Sequence, residues 1–405
     1  MCDTLCAGGG GRMLFAKNSD RPIGEAQVVE GYRRRPAGGE LRTQYLTIPD
    51  HGAFALIGSR PTWLWGFEHG INEHAVAIGN ERVWTVDDPS RAPDALIGMD
   101  LVRLGLELGA TAVAAIDSMT DLLERYGQGG IADATLAEAY FSSFLVCDPN
   151  EAWILETSGR TWAARRSDGG VAISNRLVLN DDWIKASSGV VGSFQRWADP
   201  SMPVGHADVR LAVTTPFAAE PNADARSAAA VLRHHGGHPW GRIGQTIGPD
   251  GIDPLPGPDA DFDGTGVSVC MHLRGFETTA ASMIAELDSS EVIRAWAALG
   301  SPCVSAYVPV FIDRDGPAVP PVLGAPATWT RFDLLRAKVE RIRDQHGARA
   351  SQLELARIRS ELGQLEATLW DESDRAHAIG ADPRQKLLES SSMHVERALE
   401  RLELA

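Results

Sequence analysis

The sequence predicts an α+β fold, in which antiparallel strands form sheets and the helices are set apart from them. Short apolar runs recur through residues 2–312 and are separated by turn-forming Gly, Pro, Asn and Asp. The helical patterns fall in separate blocks instead of alternating with single strands, which argues against a doubly wound parallel sheet. The 41 glycines also favour many short strands and tight turns over a helical bundle.

The first predicted element is a β-hairpin. Residues 2–7 (CDTLCA) alternate in character and precede four glycines, and residues 13–16 (MLFA) resume the apolar run. A glycine-rich turn between two such runs is typical of a hairpin. With the turn centred near Gly9 and Gly10, we expect Cys2 opposite Lys17, give or take a residue or two. The polar segment Lys17–Arg21 (KNSDR) is therefore predicted to lie beside the start of the chain.

The elements that follow are predicted from periodicity and turn residues. Residues 96–126 have a helical pattern that Gly109 interrupts, and Thr111 is the expected cap of a second helix. Asp148-Pro149-Asn150 predicts a hairpin turn between two apolar runs. A helix is predicted near residues 223–234, within a His-, Gly-, Pro- and Asp-rich stretch. The remaining predicted strands are residues 53–58, 75–80, 144–147, 152–157, 162–164, 171–175, 267–273, 278–287 and 304–312.

The chain divides into a body and a C-terminal segment. Residues 1–312 are predicted to form one domain, and residues 313–327 a proline-rich linker. Residues 328–405 carry long charged helical patterns, such as 331–345, 351–369 and 384–402. Because these have apolar positions at helical spacing, we expect them to pack on the body.

Composition and charge exclude several classes of protein. The net charge of −16 disfavours nucleic acid and anionic membranes as partners. No apolar run approaches the roughly 18 residues that span a bilayer, and no secretory signal is visible. The five cysteines are scattered, which indicates a reducing cytoplasm and no disulfide framework. No paired zinc-type spacing is visible, and the histidines at 234, 235 and 238 are expected to be solvent-exposed, so neither a metal nor a cofactor is predicted.

Cys2 is the first candidate for catalysis. Removal of Met1 would place a free α-amine, with a pKa near 7.7–8.0, beside a thiol with a pKa of about 8.5. The amine is then available as the base that activates the nucleophile. Asp20 and Asn18 are the nearest candidates for orienting this amine. The alternatives are an idle buried thiol at Cys2, or Cys6 as the nucleophile; Cys6 is predicted to lie in the core.

Several segments of the chain resemble segments of one known family and occur in the same order as in that family. They are residues 2–7 (CDTLCA), 15–22 (FAKNSDRP), 65–81 (WGFEHGINEHAVAIGNE), 98–107 (GMDLVRLGLE), 124–130 (ERYGQGG), 151–157 (EAWILET), 173–177 (ISNRL), 269–272 (VCMH), 278–283 (TTAASM) and 301–310 (SPCVSAYVPV). Together they resemble the secernins and the C69 dipeptidases among the N-terminal-nucleophile (Ntn) hydrolases. The resemblance extends from Met1 to about Ile312.

This resemblance implies a fold and a set of catalytic roles. The fold is a four-layer αββα sandwich of two antiparallel sheets, with the nucleophile at the start of a central strand. Cys2 is then the nucleophile and, through its α-amine, the base, while Asp20 orients the amine and thiol. Lys17 stands where the related bile-salt hydrolases and penicillin V acylases place an arginine. Asn80 and Asn175 match the two asparagines expected near the oxyanion.

Other polar residues are candidates for substrate binding. These are Asn18, Arg21, His272 and Arg274. His272 and Arg274 could bind a substrate carboxylate. A turn-forming role for Asn18 and a structural pairing for His272 and Arg274 remain open. Trp63 and Trp65 either line a pocket or fill core.

The sequence therefore predicts a cytoplasmic cysteine Ntn hydrolase, a thiol protease that cleaves a C–N amide bond in a small peptide without a cofactor. A dipeptidase is the first hypothesis. The first alternative is an acylase or amidase that acts on an acylated small molecule. The second is a secernin-like protein that binds without hydrolysis. A homo-oligomer, with the C-terminal helices as one contact, is compatible with the sequence.

Overall fold

In the computed structural model, the body is built on two large antiparallel sheets. The structure describes residues 1–236, 266–273, 276–379 and 381–404. In chain order, the strands are β1 (Cys2–Gly9), β2 (Arg12–Pro22), β3 (Gln27–Tyr32), β4 (Glu40–Arg42), β5 (Thr47–Pro49), β6 (Leu56–Pro61), β7 (His69–Asn72), β8 (Ala77–Val83), β9 (Ile131–Asp133), β10 (Glu138–Ala139), β11 (Phe141–Cys147), β12 (Ala152–Ser158), β13 (Thr161–Ser167), β14 (Val171–Ile173), β15 (Lys185–Ala186), β16 (His272–Leu273), β17 (Glu277–Asp288), β18 (Ile293–Leu299), β19 (Val308–Asp313) and β20 (Gly316–Ala318). The helices are α1 (Gly98–Leu108), α2 (Ala112–Tyr126), α3 (Gly205–Ala218), α4 (Ala225–Leu232), α5 (Pro326–Ile379) and α6 (Ala381–Leu404).

Each large sheet has eight strands in the described part of the chain. The first sheet has the order β14-β1-β2-β17-β18-β19-β20, with β16 paired to β17. The second has the order β15-β13-β12-β11-β8-β7-β6-β3. The pairs β4–β5 and β9–β10 form two small separate ribbons. All of these pairings are antiparallel, as the sequence predicted.

The two sheets lie face to face between helices. Alternate residues of β11 and β12 point in opposite directions, because side chains in a strand alternate between faces. Leu145 and Ile154 join the core between the sheets, whereas Phe144 and Leu155 pack under α1 and α2. Helices α3 to α6 pack against the first sheet. The result is the αββα layering of the predicted α+β sandwich, which is confirmed.

The first hairpin is present, with a register that differs from the predicted one by two residues. Cys2 lies opposite Ser19, and Lys17 lies opposite Thr4. The turn is centred one residue later than predicted, because β1 continues through Gly9 and β2 begins only at Arg12. A shift of two residues keeps each side chain on the same face. Lys17–Arg21 therefore still lies beside the start of the chain.

Several predicted boundaries are confirmed by the helices. Helix α1 ends before Gly109, and the Thr111 hydroxyl caps α2 by accepting from Ala114 N. The predicted helix near residues 223–234 is α4. Helix α3 was missed by the sequence patterns, since it lies in a stretch read as loops and contains Pro216.

The C-terminal region forms long helices against the first sheet. Helix α5 is interrupted at Gly347, which has a φ of 80° and separates the two helices predicted there. Trp370 of α5 stacks on Trp296 of β18 with ring centroids 4.7 Å apart. Residues 316–318 of the predicted linker add β20 to the edge of this sheet. None of the described helices is both long and apolar enough to cross a bilayer.

Candidate active site

Cys2 begins β1, which lies between β2 and the edge strand β14 of the first sheet. Its side chain is buried, and Sγ lies 4.0 Å from the main-chain oxygen of Asp20. Its main-chain nitrogen donates a hydrogen bond to Asn175 Oδ1 at 2.8 Å. This nitrogen becomes the α-amine if Met1 is removed. The contacts around Cys2 therefore hold both atoms that the predicted mechanism uses.

Asp20 lies beside Cys2 at the far end of β2. Its Oδ1 accepts a hydrogen bond from Thr279 Oγ1 at 2.6 Å, and its main-chain N–H donates to Met1 O at 2.9 Å. Burial raises the pKa of Asp20 to about 8, although the terminal ammonium and Arg210 lower it. Asp20 is thus a buried acid placed between the chain terminus and β17, and its orienting role stays a prediction.

Arg210 is a residue of this site that the sequence did not reveal. This fully buried side chain reaches from α3 and donates to Cys2 O at 2.9 Å and to Asp3 Oδ2 at 2.9 Å. It also donates to Asn175 Oδ1 at 2.7 Å. Arg210 lies 208 residues from Cys2 in the chain and α3 was not predicted, so nothing in the sequence placed Arg210 near Cys2.

Asn175 follows β14 and lies against the start of β1. Its Oδ1 accepts from both Cys2 N and Arg210 Nη2, and its Nδ2 donates to Arg82 O at 2.9 Å. An oxyanion donor would have to present its N–H to the reacting carbonyl. These contacts favour a different use of Asn175, which is to hold the nitrogen of Cys2.

Lys17 lies fully buried between the two sheets. Its Nζ donates to Asn80 O at 2.7 Å and lies 3.5 Å from Glu81 Oε1, and Glu81 also accepts from Thr4 Oγ1. Burial opposes the charged form, but Cys2 and the nearby carboxylates outweigh burial and raise the pKa of Lys17 above its ordinary value. Lys17 is therefore a permanent positive charge in the interior.

Asn80 lies in the middle of β8 and not at its predicted end, and its main-chain oxygen accepts from Lys17 Nζ. The side-chain amide of Asn80 satisfies its hydrogen bonds when its nitrogen points toward Glu68. It then donates to Glu68 O at 2.9 Å and to Glu68 Oε2 at 3.3 Å. The side chain is 1% exposed. Its predicted role at the oxyanion stays a prediction.

The thiol is held in its neutral form while Met1 is present. Burial raises the pKa of Cys2 to about 12, despite the opposing charges of Lys17 and the terminal ammonium. A thiolate is the reactive form of cysteine. In this form of the chain the nucleophile therefore needs a base close to Sγ.

The predicted binding residues separate into different environments. Asn18 Nδ2 donates to Leu232 O and Val269 O, both at 2.8 Å, so its amide ties β2 to neighbouring segments. Arg21 donates to Tyr140 Oη at 3.0 Å and pairs with Glu25 and Glu68. His272 lies among Cys270, Cys303 and Glu340. Arg274 lies outside the described residues.

Met1 marks a pocket next to Cys2. Its ammonium lies 2.6 Å from Glu277 Oε2. Its side chain is 3% exposed and packs in a small apolar cluster. The other members of this cluster, which we call the Met1 pocket, are Val267, Met271 and Leu273, with Trp84, Met202, Val209 and Phe276 packed against them. The sequence patterns did not identify Glu277 as a site residue, because a single acidic residue beside a predicted strand carries no functional signal.

Trp63 and Trp65 line a separate cavity. Its volume is about 400 Å³, and Arg42, Arg60 and Arg103 are among its other lining residues. Cys2 is not among its lining residues. The sequence left open whether these tryptophans line a pocket or fill core, and both are among the residues that line this cavity.

Comparison with known proteins agrees with the predicted family. Residues 63–186 match the family model described as Peptidase family C69. Among solved structures, the chain resembles a C2A mutant of conjugated bile acid hydrolase from Clostridium perfringens, with 10% identity, a TM-score of 0.41 and coverage of 73% of this chain and 88% of that one. It also resembles penicillin V acylase from Agrobacterium tumefaciens, with 11% identity, a TM-score of 0.42 and coverage of 78% and 86%. A Caenorhabditis elegans N-acylethanolamine-hydrolyzing acid amidase ortholog matches with 10% identity, a TM-score of 0.32 and coverage of 57% and 86%.

Proposed function

With residues 63–186 matching peptidase family C69, the chain is a hydrolase of peptide or amide bonds, and we propose that it is a dipeptidase that uses Cys2 as its nucleophile. Its substrates have a free amino terminus and an apolar first residue. The observation that carries this proposal is the set of groups that surround Met1.

Three groups hold Met1 in the way that the first residue of a dipeptide would be held. Glu277 binds the ammonium at 2.6 Å, and Asp20 N–H binds the carbonyl oxygen at 2.9 Å. The Met1 pocket buries the side chain. When Met1 is removed, the same carboxylate, N–H and apolar walls become available to a substrate residue next to Sγ of Cys2.

The reaction then follows from groups that already contact one another. The α-amine of Cys2 takes the thiol proton, and Sγ attacks the substrate carbonyl to form a C–S bond. Asp20 N–H stabilises the oxyanion, a contribution of about 2.7–4 kcal/mol for one donor. The protonated amine gives its proton to the leaving nitrogen as the C–N bond breaks. Water then hydrolyses the thioester, with the amine again as base.

Arg210, Asn175 and Asp20 position the amine in this scheme. Arg210 and Asn175 contact the carbonyl oxygen and the nitrogen of Cys2, so together they fix the orientation of the terminal residue. Lys17 lowers the pKa of the Cys2 thiol through its charge, which favours the thiolate.

An acylase is less compatible with the contacts of Glu277. An N-acylated substrate has no ammonium, so Glu277, which is 14% exposed in its side chain, would keep a charge without its partner. Leaving a buried charge unpaired costs several kcal/mol. Five free cysteines are compatible with the expected cytoplasmic location, which stays a prediction.

The test is a comparison of methionyl-alanine with N-acetyl-methionyl-alanine. We expect hydrolysis of the free dipeptide and at least a tenfold lower kcat/KM for the acetylated one. The variant Glu277→Gln should raise KM for the free dipeptide and reduce the difference between the two substrates. Equal or faster hydrolysis of the acetylated peptide would favour the acylase. Hydrolysis of neither, by a chain that starts at Cys2, would favour the secernin-like binding protein.

A further inference from the structure

Four metal-ligating side chains form a cluster apart from the catalytic contacts. They are His235, Cys270, His272 and Cys303, and one ligand atom of each lies within 4.8 Å of the other three. Cys270, His272 and Cys303 are 0%, 2% and 3% exposed. His235 is half-buried with its Nε2 buried, so the solvent exposure predicted for this histidine is wrong. We propose that these four residues form a binding site for a Zn²⁺ ion.

Three separate parts of the fold supply the ligands. His235 follows the end of α4, and Cys303 lies in a short 3-10 turn after β18. Cys270 and His272 are two residues apart in the segment before β17, and Cys270 Sγ contacts His272 Nε2. Met271, between them, faces the other way into the Met1 pocket.

The distances suit a tetrahedral zinc ion. Zn–S bonds of about 2.3 Å and Zn–N bonds of about 2.05 Å place a sulfur and a nitrogen ligand about 3.6 Å apart in a tetrahedron. His272 Nε2 lies 3.4 Å from Cys270 Sγ and 3.4 Å from Cys303 Sγ. The rings of His235 and His272 have centroids 5.2 Å apart, with a 52° angle between their planes. One ligand atom of each imidazole lies within 4.8 Å of both sulfurs.

The charges and the surrounding groups also suit zinc. Two thiolates and two neutral imidazoles around Zn²⁺ give a site with no net charge, which a buried position tolerates. Two sulfur and two nitrogen donors are the ligand set of structural zinc sites. His272 Nδ1 faces Glu340 Oε1 at 3.7 Å, and Glu340 pairs with Arg336 at 2.6 Å. A carboxylate behind a ligating histidine is the usual arrangement for fixing the ring.

With four protein ligands the site is closed, so its role is structural. It joins α4, the segment 266–273 and the turn after β18. Because Val267, Met271 and Leu273 belong to the Met1 pocket, the ion would also fix one wall of that pocket. The proposal does not depend on the identity of the substrate or on whether Cys2 is the nucleophile.

Metal content tests the site directly. The full chain is produced in zinc-supplemented medium, purified with a phosphine reductant and measured by inductively coupled plasma mass spectrometry. We expect one zinc ion per chain, and less than a tenth of that in Cys303→Ser and His235→Ala. The matched control His234→Ala changes the adjacent histidine, which lies outside the cluster, and should retain zinc.

A second readout covers variants that do not fold. Replacement of zinc by Co²⁺ in the unmodified chain should give tetrahedral visible bands and thiolate-to-cobalt charge-transfer absorption. Removal of the metal by a chelator should lower the melting temperature and expose Cys270 and Cys303 to alkylation. The proposal is overturned if the folded, reduced chain contains no zinc and gives no thiolate–cobalt absorption. Zinc that persists in both Cys303→Ser and His235→Ala, or a Cys270–Cys303 disulfide in the native chain, would overturn it as well.

Discussion

At the scale of single residues, the site depends on Cys2, whose main-chain nitrogen has to be held in place and whose thiol has to lose its proton. The nitrogen is held by Asn175, and the carbonyl oxygen by Arg210. The thiol is buried, and its pKa is raised to about 12 while Met1 is attached. Removal of Met1 would open the pocket beside Sγ and supply an amine as the base. The geometry thus connects processing of the terminus with activation of the thiol.

We expect Cys2→Ala to abolish hydrolysis and to leave the fold intact. Cys2→Ser should keep at most a trace, because a hydroxyl is a much weaker nucleophile near neutral pH. In the active enzyme, iodoacetamide should label Cys2 before the four other cysteines, which peptide mass spectrometry can follow. Full turnover in Cys2→Ala would contradict the assignment.

Asp20→Asn should lower turnover, because we propose that the Asp20 carboxyl orients the α-amine once Met1 is removed, and the amide keeps nearly the same shape without the acid. We expect the free energy of unfolding to change by only about 1 kcal/mol. Melting temperature is measured beside kcat for the same preparation. A loss of activity that only follows unfolding would mean that Asp20 is a structural residue.

Arg210→Lys tests a positioning role. The lysine keeps the charge beside Asp3 but cannot make the separate bonds to Cys2 O and Asn175 Oδ1. We expect kcat to fall on the order of 10²-fold, the effect typical of a displaced reacting group, with KM little changed. The pH profile of kcat/KM should shift, since the held amine titrates in it. An unchanged pH profile with a lower melting temperature would indicate a purely structural arginine.

At the scale of elements, the two sheets approach closely where β8 passes over the first hairpin. A Cβ atom on Gly79 would lie 2.5 Å from Lys17 Cδ and 2.8 Å from Thr4 Oγ1. Real Cβ atoms do not come this close to other atoms, so Gly79 is the residue that lets Lys17 pass between the sheets. The Nζ of Lys17 in turn contacts Asn80 O and Glu81 Oε1 of β8.

Gly79→Ala should therefore destabilise the chain by about 1–3 kcal/mol through overpacking, and reduce activity by displacing Lys17. Gly363→Ala is the matched control, because Gly363 lies in α5 with no atom within 4 Å of the added Cβ. A helical alanine should stabilise by about 0.5–1 kcal/mol. Chemical denaturation of both variants measures the difference, and equal stability would contradict the close approach of the sheets.

At the scale of the whole molecule, the C-terminal helices cover the first sheet. Trp370 is 3% exposed, stacks on Trp296 and donates to Tyr307 O at 3.2 Å. Trp370→Ala should lower the free energy of unfolding by about 3–5 kcal/mol. Leu353→Ala, at a side chain of α5 that is 68% exposed, should change it by less than about 0.5 kcal/mol. Similar values for the two variants would mean that α5 contributes little to the body.

Much of the fold could be predicted because local patterns determine it. The glycine turn, Thr111 and Asp148-Pro149-Asn150 each specify a boundary through their own backbone chemistry. The register of the first hairpin could not be fixed, since four consecutive glycines allow the turn to move by one residue. Arg210 contacts Cys2 from 208 residues away and Glu277 contacts Met1 from 276 residues away, and no local pattern encodes such contacts. The four zinc ligands come from three segments for the same reason, so their spacing in the chain resembles no known motif.

The central claim is that catalysis begins with Cys2 as the terminal residue. Intact-mass spectrometry of the purified enzyme, on the same preparation that hydrolyses methionyl-alanine, tests this claim most directly. We predict a mass that lacks the Met1 residue, with Cys2 as the first residue in Edman sequencing. Met1 retained throughout a fully active preparation would contradict the amine-as-base mechanism, and a chain that begins at Cys6 would show that the nucleophile is the other cysteine.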